Sequence, residues 1–235
     1  MSKSMKKIIG YPTEESIHPL SRDRIVEAAL QLLLQMNLKE LSMRKIASKL
    51  DVKAAALYYH VKNKDELLQL LTDEISVQMG EEWLNPSLTW REQIMEWSSA
   101  FRKALKAYPN AVDIFTETIA ISYHRLLQIE WLYSVLAKAG FGDEQIPWAA
   151  SMLKNHVVGF VAEEVRKTGF ANKEEDSRVE AESYTSFFED LPVDQFPHMI
   201  RLAEVTTKPD WEKEFQFGIG VLLDGFEKRL KKENQ

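Results

Sequence analysis

The segment Leu41–Lys64, LSMRKIASKLDVKAAALYYHVKNK, concentrates side chains that could hold a polyanion. Tyr58, Tyr59 and His60 follow one another, with Lys53, Lys62 and Lys64 around them. If Val52, Leu57 and Val61 face a core, the polar rings face outward, where nothing inside the protein needs them. Phenol, imidazole and ammonium donors on one surface are the groups that grip phosphate oxygens and so set register on a duplex. Taken singly, each has a plainer reading: Tyr58 as core, His60 as structural, the lysines as a solvated face. Their occurrence together at this spacing points to nucleic acid.

No comparable set points to catalysis. Cysteine is absent, which removes disulfides, thiolate nucleophiles and cysteine-based zinc sites together. The five histidines, at 18, 60, 124, 156 and 198, have no metal-ligand spacing. There is no G-x-S-x-G, glycine-rich phosphate loop or H-E-x-x-H. Glu163 and Glu164 are neighbours, so on a helix they face different directions. The expectation is a protein that is not an enzyme and needs neither metal nor cofactor.

Charge supports that division of labour. The chain of 235 residues carries a net −6, but unevenly. Residues 1–64 hold 12 Lys and Arg against 6 Asp and Glu, whereas residues 65–235 hold 18 against 30. A basic head on an acidic body is expected when one end meets phosphates. No apolar run is long enough to span a membrane, and residues 1–20 lack a secretory apolar region. The expected location is the cytoplasm.

The elements that must position these groups read as helices throughout, with apolar residues at i, i+3 and i+4 and no alternating strand pattern. Residues 1–20 read as a flexible arm, residues 21–66 as a helix-turn-helix head, and residues 67–235 as a helical ligand-binding and dimerisation domain. The first helix is predicted from Ser21 to about Asn37. A second, capped by Ser42, carries Ile46, Ala47 and Leu50, and a third covers 54–60. Asn63 and Glu66 stand as N-cap and N3 of a fourth. Further helices are predicted near 65–84, 88–107, 110–121, 123–139 and 143–168. A charged loop at 172–182 and helices near 193–206 and 210–231 complete the chain.

Leu20–Leu71, and above all LYYHVKNKDELLQLL, resembles the DNA-binding domain of TetR-family repressors. The resemblance implies that Arg44 reads a base, able to fork onto a guanine edge. It implies further base contacts from the start of the third helix, Ala54 to Ala56, and a backbone clamp from Tyr58, Tyr59, His60 and Lys64, with Lys53 and Lys62 as further DNA-binding candidates. Two departures matter. Ala54, Ala55 and Ala56 stand where relatives have polar residues, which leaves methyl contacts to thymine and DNA shape as readout. Asp51 stands in the turn where glycine is common.

The body, through TWREQIMEWSSAFRKAL, AGF, GFVAEE and FQFGIGVLLDGFEKRL, resembles the tetracycline-repressor branch in particular. That branch chelates a drug–magnesium complex with histidines on its fourth and sixth helices and a carboxylate on its eighth. Those histidine positions correspond to Gly80 and a position near Phe115, while Glu163 matches the carboxylate. The metal-chelating logic is therefore lost.

An apolar candidate pocket remains: Trp97, Phe101, Phe115, Thr116, Ile119, Trp131, Met152 and His156. It suits a hydrophobic or aromatic effector, although each residue alone also fits a core. A homodimer is expected through Trp148, Met152, Phe215, Gly218, Leu222, Gly225 and Phe226, where helix-interior glycines permit close approach. The partners implied are double-stranded operator DNA, a small molecule and a second copy. A helical protein–protein adaptor whose head reads no specific site is the alternative.

Overall fold

The computed structural model describes residues 19–81, 83–169 and 174–233, which contain twelve α-helices and no strand. The head comprises α1 (Arg22–Leu33), α2 (Met43–Lys49) and α3 (Ala54–Leu57), and α4 (Lys64–Val77) leads out of it. Helix starts carry the oxygen acceptors the sequence supplies. Ser21 Oγ accepts from the Arg24 amide (3.3 Å), Ser42 Oγ from Lys45 (3.3 Å) and Asn63 Oδ1 from Glu66 (2.8 Å). Ile25, Ala29, Leu33, Ile46, Leu57, Val61, Leu67 and Leu71 close one apolar core between them.

The body holds α5 (Trp90–Lys106), α6 (Ile114–Glu117), α7 (Tyr123–Ala139), α8 (Gln145–Gly169) and α12 (Trp211–Glu233). Helix α5 packs on α8, α4 on α7, and α12 on α8. A smaller group, α9 (Glu174–Glu189), α10 (Pro197–Arg201) and α11 (Ala203–Thr207), packs mainly upon itself. Among the described residues, no helix is long and apolar enough to cross a membrane.

Several boundaries differ from those predicted, each for a local reason. Helix α1 ends at Leu33 and not near Asn37, because Leu38 and Leu41 turn back into the core through a short 3-10 turn. Helix α3 ends at Leu57, short of His60, and buried Val61 pins the chain that follows. Helix α4 stops at Val77, not near 84. Gly80 adopts φ +68°, and buried Trp83 folds back to donate its indole N–H to Gly80 O (2.8 Å). The predicted helix at 110–121 is interrupted. Thr118 is extended, and its hydroxyl donates to Ile114 O (2.6 Å), competing with continued helix.

The stretch at 172–182, read as a loop, is helical from Glu174; Asn172 and Lys173 lie outside the described residues. Its charged residues and alanine are good helix formers, so few apolar positions suffice. The helix predicted near 193–206 is two short ones, started by Pro197. Residues 1–18 of the predicted arm lie outside the described residues.

Candidate DNA-reading head and effector cavity

Asp51 makes the turn between α2 and α3 with φ +54°, the left-handed conformation that glycine would take more cheaply. The turn directs α3 outward while Leu57 and Val61 stay fully buried. Tyr58 is consequently half exposed and Tyr59 is 91% exposed. Arg44, Lys53, Ala55, Lys62 and Lys64 are exposed, and Ala54, Ala56 and His60 partly so. Among the described residues, no carboxylate lies within ion-pair distance of Arg44, Lys53, Lys62 or Lys64. The structure thus brings the sequence-predicted head residues onto the α2–α3 surface with their charges unpaired.

The scaffold beneath them is tied by one carboxylate. Glu66 accepts from the Lys62 amide (2.7 Å) and from Arg22 (3.1 Å), and Arg22 Nε also donates to His60 O (2.8 Å). Glu66 therefore reaches one residue beyond the Asn63 amide of an ideal capping box, and so clamps the turn after α3 to α1.

Helix α4 meets the body through three successive polar positions on one face. Gln69 donates to Ile119 O (2.9 Å). Asp73 accepts from the His124 amide (2.7 Å) and lies 2.9 Å from His124 Nδ1. Burial alone would raise the Asp73 carboxyl, but these hydrogen bonds outweigh it and hold the group below its ordinary value. Ser76 O accepts from Gln128 Nε2 (3.1 Å). At the end of α1, Asn110 donates to Leu33 O (2.9 Å), a second tie between head and body.

Gln128 also lines a cavity of about 280 Å³ between α5, α6, α7 and α8. Of the residues predicted for a pocket, Trp97, Phe101, Phe115 and Thr116 line it. The aromatic rings form a continuous wall, Trp97 to Phe101 at 5.4 Å and Phe101 to Phe115 at 5.3 Å between centroids. Ile119, Trp131, Met152 and His156 lie outside that lining. Ile119 is 80% exposed, Trp131 packs edge-on against Trp83 (4.6 Å), Met152 is half exposed, and His156 turns toward α12. Sequence reasoning did not single out Arg125, Gln128, Tyr133, Ser151 or Lys154, which also line the cavity. Glu163 is exposed and paired with Lys167 (2.8 Å), outside the cavity.

The predicted dimer residues separate in the same way. Trp148 and Met152 of α8 are exposed, as is Gly225 of α12. Phe215 and Phe226 are buried within the chain, and Leu222 is half buried. Gly218 has an intrachain reason: a Cβ there would collide with the His156 ring, which is stacked on Phe215. Phe217, 74% exposed, and half-exposed Val221 continue an apolar α12 face that ends at Gly225, at four-residue spacing. That spacing was legible in FQFGIGVLLDG, although the glycines drew attention first.

Two family models match the chain. Residues 25–71 match the bacterial regulatory proteins of the tetR family, and residues 84–230 match the tetracyclin repressor-like C-terminal domain. A transcriptional regulator of the helix-turn-helix type from Saccharopolyspora erythraea is 34% identical over 147 residues, 62% of this chain and 61% of that protein. The class D tetracycline repressor of Escherichia coli is 26% identical across 90% of this chain and 91% of its own length. The structure of the TetR-family protein ActR from Streptomyces coelicolor, in complex with actinorhodin, superposes with a TM-score of 0.78. It is 28% identical and covers 91% of this chain and 99% of that one. With both halves matched in order, the chain belongs to the tetR family of bacterial regulatory proteins, in the branch with a tetracycline-repressor-like C-terminal domain.

Proposed function

We propose that this regulator is a cytoplasmic, dimeric repressor, without enzymatic activity, that leaves its operator when a small aromatic effector enters the cavity beside α4. Regulators of this family bind operator DNA and small molecules and act as dimers. The observation that carries the release mechanism is Gln128, which lines the cavity and holds Ser76 of α4 in the same side chain. An effector that displaces Gln128, or moves Thr118–Ile119, pulls on the Gln69, Asp73 and Ser76 contacts together. Helix α4 carries the head through the Asn63–Glu66 clamp, so its tilt changes the separation of the two heads in a dimer. The effector lowers operator affinity by its differential affinity for the two arrangements.

On the operator, Arg44 takes the base-reading role, with methyl contacts from Ala54, Ala55 and Ala56. Lys53, Tyr58, Tyr59, His60, Lys62 and Lys64 hold backbone phosphates. The second copy docks on the apolar face of Trp148, Met152, Phe217 and Val221. The aromatic cavity supports an effector held without a metal, since Gly80 lies in a left-handed turn and Glu163 is committed to Lys167.

Fluorescence anisotropy on the DNA upstream of the gene, at two salt concentrations, tests the reading. The expected result is a specific site whose affinity falls steeply with salt. Binding no tighter than to unrelated duplex would favour the adaptor reading instead.

A further inference from the structure

The cavity wall contains two cations and no acid. Arg125 and Lys154 both line it, and among the described residues no Asp or Glu does. Arg125 is nearly buried at the start of α7. Its Nη1 donates to Thr118 Oγ1 (2.9 Å), and its guanidinium lies 5.0 Å above the Phe115 ring. Asp73 offsets part of its charge, but that carboxylate is already engaged by the amide and ring of His124. Lys154 of α8 is half buried and, among the described residues, has no carboxylate within ion-pair distance. Burial pushes both groups below their ordinary values, and Arg125 pushes Lys154 further. The indole N–H of Trp97, in the same wall, is buried and, among the described residues, has no acceptor.

Cations taken out of water without counter-charge are costly, and the cost falls when an anion with hydrogen-bonding oxygens joins them. The companion wall of Trp97, Phe101 and Phe115 accepts a flat apolar body. We infer that the effector is an aromatic acid, its rings against Trp97, Phe101 and Phe115 and its carboxylate between Arg125 and Lys154. This assignment rests on the effector reading above and narrows it to one chemical class. It also accounts for cations facing a cavity that an otherwise greasy ligand would leave unpaired.

The test uses matched pairs on the full-length protein: benzoate, naphthoate and anthracenecarboxylate, each against its own carboxamide. Binding is read by calorimetric titration and operator release by anisotropy in parallel. Charge-assisted hydrogen bonds predict that the best acid binds at least about tenfold more tightly than its amide. Lys154→Gln, at a half-exposed position chosen because Arg125 is too buried to replace safely, is expected to cut that ratio about tenfold. Its unchanged melting temperature without ligand would show that the fold survives. Lys154→Glu should abolish acid binding. Amides that bind as well as their acids, no binding by any acid, or a ratio indifferent to Lys154→Gln would overturn the assignment. Failure of specific operator binding would instead overturn the regulator reading, and equal acid and amide affinity with operator binding intact sinks the anion assignment alone.

Discussion

The head and the body handle positive charge in opposite ways. In the head, Arg44, Lys53, Lys62 and Lys64 are exposed and, among the described residues, have no carboxylate in ion-pair range. In the body, Arg102 is buried at the junction of three helices. It donates to Glu164 of α8 (2.9 and 3.0 Å) and to Glu212 of α12 (2.6 Å), and it lies 4.7 Å from the Phe215 ring centre. Lys106 adds a further contact to Glu164 (2.5 Å). Burial would raise the Glu164 carboxyl, but its bonds from Arg102 and Lys106 reverse this and hold it low. Exposed cations are hydrated and cost the free protein almost nothing, so the head can leave them for DNA. Buried cations must be matched before the protein is stable, so the body supplies its own acids at the frame, whereas among the described residues none lines the cavity.

The sharpest way to break this contrast is to remove one acid from the frame. Glu164→Ala takes the buried carboxylate away from Arg102, which keeps the exposed Glu212. The expected loss is about 3–5 kcal/mol of unfolding free energy, measured by urea titration. Operator binding should fall with it, because the proposed dimer face lies on α8 and α12. A loss below about 1 kcal/mol would show that water reaches Arg102 and that the frame is not dry. Next in size is the head. Arg44→Ala should weaken operator binding by about 1–3 kcal/mol and relax specificity at one base pair, while stability stays within about 0.5 kcal/mol. Uniform weakening across all operator variants would reassign Arg44 to the backbone.

How far each half was legible in the sequence follows from the same contrast. The head's candidate residues stand at exposed or partly exposed positions at fixed local spacing, so LYYHVKNK and the caps at Ser21, Ser42 and Asn63 display them directly. The all-helical architecture was equally plain, since every core stripe repeats at helical spacing. The cavity was not. Trp97, Phe101 and Phe115 announce themselves by type, but Arg125 and Lys154 come from different helices, and no local pattern marks which cation is buried. His156 misled for a related reason: a histidine among apolar residues reads as a ligand contact, whereas its ring fills the space above Gly218. Local rules also missed the break after Ile114–Glu117, where Thr118 bonds back to Ile114 and ends the helix.

The link between the halves offers a smaller and more selective test. Asp73→Ala removes the contacts from α4 to His124; Asp73 is not among the cavity-lining residues, although its loss also removes the charge that partly offsets Arg125. The expected outcome is a change of about 0.5–2 kcal/mol in the coupling between effector and operator. That coupling is measured as the ratio of operator affinities with and without saturating effector. Gln128→Leu should alter both coupling and effector affinity, because Gln128 belongs to both networks. If Asp73→Ala changed effector affinity and left the coupling intact, α4 would not be the lever.

The smallest effect concerns the contact of half-buried His156 with α12. His156 lies between Phe160 and Phe215, its Nε2 has no hydrogen-bond partner, and burial lowers its pKa from the ordinary 6.5. A depressed folded value means that the unfolded chain takes up the proton first as pH falls. Stability from this residue is therefore complete above 6.5 and declines as pH drops from there toward the folded value. Melting temperatures between about pH 8 and about pH 5.5 should fall more in the native chain than in His156→Gln, which carries no titrating group at that site. Parallel profiles would mean that water reaches the ring and that Gly218 serves shape alone. A steeper fall in the native chain would show that the α8–α12 contact excludes charge as firmly as the head displays it.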